Sequence, residues 1–600
     1  MAAAKWLKQM VPTFSISDYL VFIFIVFVSI AIGLFFGCRQ KNDKTANDFM
    51  TGNRQLSALP LALSLMVSFQ SSIMVLGMPA EAYVYGIMYF FSVVGFMICL
   101  LISSHVYAEF FHKMNFYSIN EYIKHRYKSE VLKVFGVILS IAIYVWYMGI
   151  MLYGPAVALQ AVAGFNMWYS ISILAVSAIL YTAIGGLRAV IWTDVFQSFV
   201  MYFCLLVAII KGINEVGNLN DVWEISRETQ RLDLDFRFDP FTRHTVFNLM
   251  FGYVLYAFGT VFNQSSFQRI TVAKTPRTAA WVLMLAGPFY ALTTGLAIFQ
   301  GLLAFAYFKT KRCDPLEAGI ISNPNQIMPY YMLMLFQNWR GMPGLFVAAL
   351  FSACLSTMSS GLSSLSTITW IDIFQPMLKS PSDAKATFVC KAAVVIYGLM
   401  SLGVAVLVSN IGGTLTQIGD TLVSSFSGPL TGMILFGTLC PWANKKGALA
   451  GTLCAIVITL WVAFGSIFSS TLPPTPYLPP APTDQCPITN ISIHFTSHNF
   501  TTAEMVTNTT KYSIRGIQKL YSLSYTMNVP IAILIVFVVG TIVSLIFYKP
   551  HEVNQKYVVP VCEKVCCCLP SSARKKFRSR AISTIKDEEN MELDSKLERT

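Results

Sequence analysis

The amino-acid sequence predicts an all-α polytopic membrane protein with about 13 transmembrane helices. Of its 600 residues, 55% are hydrophobic and only 12% are charged, whereas soluble globular proteins carry about 25% charged residues. The apolar residues form runs that recur along the chain, and most are long enough for the roughly 20 residues that cross a bilayer. Because open strands leave backbone groups unpaired in lipid, each run is predicted to be a helix.

The first apolar run begins near Asp18 after a polar lead, and no cleavable signal peptide is evident. The predicted spans cover residues 18–37, 58–78, 84–107, 131–162, 167–184, 189–211, 246–267, 279–308, 343–370, 389–409, 414–438, 447–469 and 528–548.

Basic residues predict the orientation of these spans. The net charge of +13 could suit nucleic acid, but Lys and Arg lie in short loops between apolar runs, where they set membrane topology. With the N-terminus outside, the three very short outer loops contain no Lys or Arg. The predicted inner loops hold Arg39, Lys41, Lys44, Arg54, Lys113, Lys124, Arg126, Lys128, Arg188, Arg269, Lys274, Arg277, Lys379, Lys385, Lys445 and Lys446.

The loop from 470 to 527 gives a second signal for orientation. It contains glycosylation sequons at Asn490, Asn499 and Asn508, and glycosylation requires an outside face. We therefore predict an extracellular N-terminus over 1–17, a transmembrane domain over 18–548 and a cytoplasmic tail over 549–600 of a multi-pass plasma-membrane glycoprotein.

Cysteine placement predicts one disulfide bond. Of the 13 cysteines, only Cys313 and Cys486 fall in predicted outer loops, where thiols oxidise. No enzyme is expected, because the sequence holds no Walker sequence, no GxSxG and no HExxH. The absence of a Walker sequence also argues against an ATP-driven pump.

Two segments have the composition of a transport site. Leu61–Tyr85 is apolar but is interrupted by Ser64, Ser68, Gln70, Ser71 and Ser72, which favours an unwound helix with free carbonyls for a cation. The span 343–370 is rich in Ser and Thr, and its Ser356–Thr357 pair offers two hydroxyls one turn after the Ala353 carbonyl. For both segments, close helix packing through small residues is the alternative.

Asp194 is the third candidate. It follows the glycine-rich turn in YTAIGGLRAVIWTDVFQ and lies one to two turns into the next span. An ionisable residue at that depth is costly and points to a functional role. A salt bridge to a basic residue of an inner loop is the alternative.

These segments together resemble the sodium:solute symporter family, from about residue 15 to residue 550. YTAIGGLRA is similar to the family signature. WTDVFQ, MPAEAYVYG, NQSSFQR, CDPLEAGIISNPNQIMPY and MPGLFVAALFSACLSTMSSGLSSLST resemble the branch that carries monocarboxylates, vitamins and iodide. The resemblance implies a five-plus-five inverted repeat, here about 58–211 and 246–438.

The family also implies the site residues and no cofactor besides the coupling sodium ion. Sodium would be bound by backbone oxygens of Val67, Gln70 and Ala353 and by hydroxyls of Ser356 and Thr357. The substrate would lie at the midplane against Phe69, Ser71, Met74, Tyr256, Thr260 and Val423. Asp194 and Asp420 are expected to act in coupling or gating.

Three residues depart from the pattern of the branch. Met74 stands where iodide transporters carry Gln, and Tyr256 where they carry Trp. Asp420 lies near a position that is usually apolar or hydroxylic, and a carboxylate there opposes an anion unless it is paired or protonated. The alternatives for Asp420 are a second cation site and a hydrated position in the outer vestibule.

The predicted function is sodium-coupled import of a small organic anion, a monocarboxylate or a carboxylate vitamin such as biotin or pantothenate. The expected partners are that solute, Na⁺ and the lipid bilayer, with no nucleic acid. Two alternatives stay open at this point. One is transport of iodide or another small inorganic anion, and the other is a receptor or sensor without transport.

Overall fold

Helices make up the regular structure of the part of the chain that the structure describes. The structure, a computed structural model, describes residues 14–39, 56–378, 382–409, 414–469, 475–486, 516–547 and 557–559. The helices in chain order are α1 Ile16–Arg39, α2 Ala58–Phe69, α3 Met78–Tyr85, α4 Phe91–Met114, α5 Ile119–Tyr127, α6 Glu130–Ala163, α7 Met167–Val216, α8 Leu219–Glu228, α9 Val246–Val261, α10 Gln264–Thr271, α11 Pro276–Thr310, α12 Ile327–Leu335, α13 Met342–Ile368, α14 Gln375–Met377, α15 Asp383–Val408, α16 Leu415–Leu439, α17 Lys445–Phe468, α18 Ile517–Tyr521 and α19 Asn528–Ile546. Two π-helical turns, Ile73–Gly77 and Thr369–Phe374, lead into α3 and α14, and short 3₁₀ turns cover Ile87–Phe90, Pro324–Gln326 and Tyr525–Met527.

Membrane spans follow the predicted apolar runs. In the described ranges, 10 helices are long and apolar enough to cross a membrane, or up to 12 if each of two bent helix pairs is one span. That result confirms an all-helical, multi-pass membrane protein. The predicted glycosylation sites Asn490, Asn499 and Asn508 and most of the predicted tail lie outside the described residues.

Helix α7 joins two predicted spans at a glycine. It is 50 residues long and would measure roughly 75 Å if straight, against a hydrocarbon core of about 30 Å. Gly186 breaks it with φ 59° and ψ −168°, a backbone conformation that glycine adopts without steric cost. Two passes from α7 would bring the total to 13 spans, and both that number and the inverted repeat stay predictions.

Two bent pairs interrupt the helical pattern in mid-span. Helix α2 and the segment Ile73–Tyr85 meet at 60°, as the polar residues of this segment predicted. Helices α9 and α10 meet at 63°, where we predicted one span over 246–267. The reason is Asn263, whose side chain accepts a hydrogen bond from the Ser266 amide and so starts a new helix.

Helix α13 forms the centre of the helical bundle. Every residue in the most apolar stretch of α13 is buried. In the most apolar stretch of α1, only 17% of the residues are buried. Helix α13 packs against α1, α6, α7 and α15. The carboxylate of Asp18 in α1 accepts hydrogen bonds from the amides of Gly341 and Gly344 at 2.9 and 3.2 Å. This acidic side chain therefore pairs free amides at the start of α13, where a negative charge is stabilising.

A disulfide bond joins Cys313 to Cys486, as the cysteine placement predicted. It ties the segment 475–486, called the strap below, to the loop that follows α11. The strap also reaches the end of α3, where the Leu478 amide donates to the Val84 carbonyl at 2.9 Å. The two predicted outer loops thus lie on one face of the protein.

We expect Cys313→Ser and Cys486→Ser to lower stability by the same amount, about 2–4 kcal/mol, because each removes the same cross-link. The double variant should be no less stable than either single variant. Thermal unfolding in detergent, followed by tryptophan fluorescence, measures the loss. Peptide mapping without reduction that found both cysteines as free thiols would contradict the bond.

Candidate sodium and substrate site

A central cavity lies between the two bent pairs and helices α13 and α16. Counted with its open mouth, it encloses about 1180 Å³. One face of α16 lines it at helical spacing, through Asp420, Val423, Ser427, Leu430, Thr431 and Ile434. All six residues predicted to bind substrate line it, namely Phe69, Ser71, Met74, Tyr256, Thr260 and Val423. The structure therefore brings this set together, and its role in binding stays a prediction.

The break after α2 supplies the oxygen atoms of the site. The helix ends at Phe69, and the Gln70 amide still donates to the Met66 carbonyl at 3.0 Å. The carbonyls that follow Met66 are those of a helix end, which have no helical partner. Two side chains hold the broken segment. The side-chain amide of Gln70 donates to the Tyr290 carbonyl at 3.1 Å, and the Ser72 hydroxyl donates to the Met151 carbonyl at 3.1 Å.

The predicted sodium ligands divide into two layers. Gln70 and Thr357 line the cavity, whereas Val67, Ala353 and Ser356 are buried directly behind its wall. The Thr357 hydroxyl donates its proton to the Ala353 carbonyl at 3.1 Å, and the Ser356 hydroxyl donates to Asp194 at 2.6 Å. With their protons so engaged, both hydroxyl oxygens keep lone pairs for a cation.

Asp194 forms an ion pair, as the alternative interpretation held. Its carboxylate lies 3.0 Å from a guanidinium nitrogen of Arg269, and both side chains are buried. It also accepts hydrogen bonds from the hydroxyls of Ser64 at 2.5 Å and Ser356 at 2.6 Å. These contacts join α2, α7, α10 and α13 behind the predicted sodium site.

Arg269 lies in a buried helix. The sequence predicted an inner loop at this position, whereas the structure places Arg269 in α10 with 1% of the residue exposed. Its guanidinium donates at 2.8 Å to the hydroxyls of Ser68 and Ser360, which line the cavity. Arg269 is thus one hydrogen bond away from the cavity itself.

Asp420 lies in the wall of the cavity and is 9% exposed, which excludes the fully hydrated position considered above. It accepts hydrogen bonds from the hydroxyls of Tyr253 and Tyr89, the latter at 3.2 Å, and those two hydroxyls contact each other. Neither tyrosine was predicted from the sequence. They are 164 residues apart, so no local pattern pairs them.

A polar cluster lies beyond Asp420, next to the beginning of α16. Arg243 pairs with Glu81 at 2.6 Å and donates to Gln417 at 2.8 Å, and Thr414 also contacts Glu81. Burial, together with the charge of Arg243, holds the pKa of neighbouring His244 well below its usual value, so this imidazole is neutral at physiological pH. The cluster connects α3 and the loop before α9 to α16.

Comparison with known proteins decides the family. A model of the sodium:solute symporter family matches residues 49–455, more than half of the 600-residue chain. The chain belongs to the sodium:solute symporter family. It is therefore a transporter and not an enzyme, and family membership implies sodium as its coupling ion.

Three relatives of this symporter have similar sequences over most of their length. The sodium-dependent multivitamin transporter of Oryctolagus cuniculus is 35% identical, with 94% of this chain and 88% of that protein covered. The sodium-coupled monocarboxylate transporter 2 of Mus musculus is 33% identical, covering 93% and 88%. The sodium/iodide cotransporter of Homo sapiens is 35% identical, covering 76% and 71%.

A solved structure of a Na⁺-coupled sialic acid symporter shares the fold of this symporter. The structure shows a substrate-bound, outward-open state and superposes with a TM-score of 0.70 at 21% identity. The match covers 89% of this chain and 99% of that one. At this identity the likeness supports the fold and not the substrate.

We expect Asp194→Asn to destabilise the symporter by about 3–5 kcal/mol, because it leaves the Arg269 guanidinium buried without a counter-charge. The readouts are thermal unfolding and the amount of protein at the cell surface. The double variant Asp194→Asn with Arg269→Gln should recover part of the loss. Asp484→Asn is the control, since its pair with Arg312 is exposed to solvent and its loss should leave the unfolding temperature unchanged.

Proposed function

We propose that this symporter imports a small organic anion, a monocarboxylate or a carboxylate vitamin such as biotin or pantothenate, together with sodium across the plasma membrane. The observation that carries the proposal is its similarity, over more than nine tenths of the chain, to a multivitamin and a monocarboxylate transporter. Among the six cavity residues, Ser71, Tyr256 and Thr260 offer hydroxyl groups to such a solute, and Phe69 and Tyr256 offer aromatic rings.

The driving ion would bind at the break in the first bent helix. Backbone oxygens of Val67, Gln70 and Ala353 and the hydroxyls of Ser356 and Thr357 provide the oxygen ligands that a hard cation prefers. The proximity of Gln70 and Thr357 in one cavity supports this set. Asp194 would act from behind, by fixing the Ser356 hydroxyl so that its lone pairs face the ion.

Sodium would also supply the positive charge that an anion requires. The described residues lining the cavity include no Lys, Arg or His, so a carboxylate substrate would be bound through hydroxyls and through the coupled ion. An inside-negative potential of about 60 mV favours the entry of each Na⁺ by roughly 1.4 kcal/mol before any concentration gradient is counted. Substrate binding would then close the site to water, and the bent helices would afterwards move against the rest of the helical bundle.

The orientation that we propose has the N-terminus and the strap outside and the tail inside. The short-loop basic residues and the three sequons support it. A protease-protection assay on an N-terminal epitope tag, with and without permeabilisation of the cell, tests that orientation directly.

The substrate is tested by uptake of labelled lactate, nicotinate, biotin, pantothenate and iodide into cells that express the full chain, with sodium or with choline outside. Sodium-dependent uptake of an organic anion supports the proposal. Uptake of iodide alone would select the second candidate, which similarity to the iodide cotransporter favours. Binding without uptake in every case would indicate a receptor and overturn the proposal.

We expect Thr357→Ala to raise the sodium concentration for half-maximal uptake by roughly tenfold, the effect of losing about 1.4 kcal/mol of ion binding. Surface expression should persist, since the residue faces the cavity and its removal leaves no buried charge.

Ser366→Ala in the same helix is the matched control. Its hydroxyl donates to the Ser363 carbonyl at 2.8 Å within the helix, and it is buried outside the cavity wall. An unchanged sodium dependence in Thr357→Ala would remove Thr357 from the site, and an equal change in both variants would indicate a general effect on the helix.

A further inference from the structure

The cavity contains one formally charged side chain. Asp420 is the only Asp, Glu, Lys or Arg among the described residues that line the cavity. Glu81 is the acid near it, and that carboxylate is engaged by Arg243 at 2.6 Å. Asp420 therefore has no permanent counter-charge, and an anionic substrate would add a second negative charge to the same cavity.

The hydrogen bonds between Asp420, Tyr89 and Tyr253 can accommodate one proton more than the ionised carboxylate provides. One carboxylate oxygen of Asp420 and the hydroxyls of Tyr89 and Tyr253 form a triangle in which every pair is in hydrogen-bond contact. Two phenols supply two protons for three contacts when the carboxylate is ionised. A proton on the carboxyl group completes the ring, because each oxygen then donates once and accepts once.

The other titratable groups that face Asp420 are mostly phenols. They lie on the 3₁₀ turns and on α6, α9 and α11, and phenols ordinarily ionise near pH 10. Glu81 also lies near Asp420 and is paired with Arg243. The phenols belong to Tyr89, Tyr147, Tyr253, Tyr256, Tyr290 and Tyr525. His244, behind Tyr89 and Tyr525, stays neutral in that range.

We propose that Asp420 binds a proton that is loaded with the anionic substrate and travels with it, so that uptake is coupled to a proton as well as to sodium. A proton from water outside adds to the carboxylate oxygen, and the same proton returns to water after the cavity opens to the cytoplasm. No other bond changes. The inference of co-transport rests on the proposed function, whereas the proton site itself does not.

The transport test is sodium-dependent uptake at external pH of about 6, 7 and 8, with a carboxylate substrate that stays ionised throughout. In the wild-type protein, uptake at low substrate concentration should fall as pH rises, by up to roughly tenfold per pH unit once Asp420 is ionised. Uptake should also acidify the cytoplasm. Asp420→Asn should abolish both effects, and Asp420→Glu, which keeps a titratable carboxyl group, should retain them.

A second measurement does not depend on transport. The infrared carbonyl stretch of a protonated carboxylic acid should grow in the purified full-length protein as pH falls, and Asp420→Asn should lack that band. Asp420→Glu should shift it if the Asn variant does not fold. Absence of the band at pH about 6, or a wild-type pH dependence of uptake that Asp420→Asn retains, would overturn the proposal. A normal band without sodium-dependent uptake would instead contradict the proposed function alone.

Discussion

A transmembrane helix that stops inside the bilayer must satisfy its last carbonyl groups with something other than lipid. Helix α2 stops at Phe69, and the chain continues at 60° to it. Each unpaired carbonyl at that depth costs several kcal/mol, so the break persists only because polar partners surround it. Gln70 and Ser72 bind neighbouring backbone, and a cation would pair the rest. The break therefore leaves carbonyl groups free at the place where we propose the ion site.

The Asp194–Arg269 pair shows how this protein stabilises polar groups in its core. Neither charge reaches water, and the cost of burying two ions is offset only where further hydrogen bonds complete the geometry. Five serine hydroxyls supply those bonds. Four of them come from α2 and α13, the two helices that carry most of the proposed sodium ligands, and the fifth is Ser265 of α10. Loss of one partner would thus disturb both the packing of the bundle and the ion site.

The fold could be predicted from the sequence because the bilayer allows few solutions. Apolar runs located the spans, and the polar residues between Ser64 and Ser72 located the first break. The cavity residues such as Met74 and Val423 were placed by family resemblance, which already contains the tertiary information. The partners of Asp420 and Asp194 were not predicted, because Tyr253 and Arg269 meet these carboxylates only through packing of distant helices.

The strap ties the end of α3 to the loop that follows α11. It hydrogen-bonds the end of α3 through Leu478 and is fixed covalently beside α11 through Cys486. Arg231 adds a second link, since its guanidinium donates to the carbonyls of both Tyr83 and Pro479. Any tilt of α3 will therefore bend or displace the strap. An environment-sensitive dye at Gln485, on the exposed face of the strap, would report such a movement.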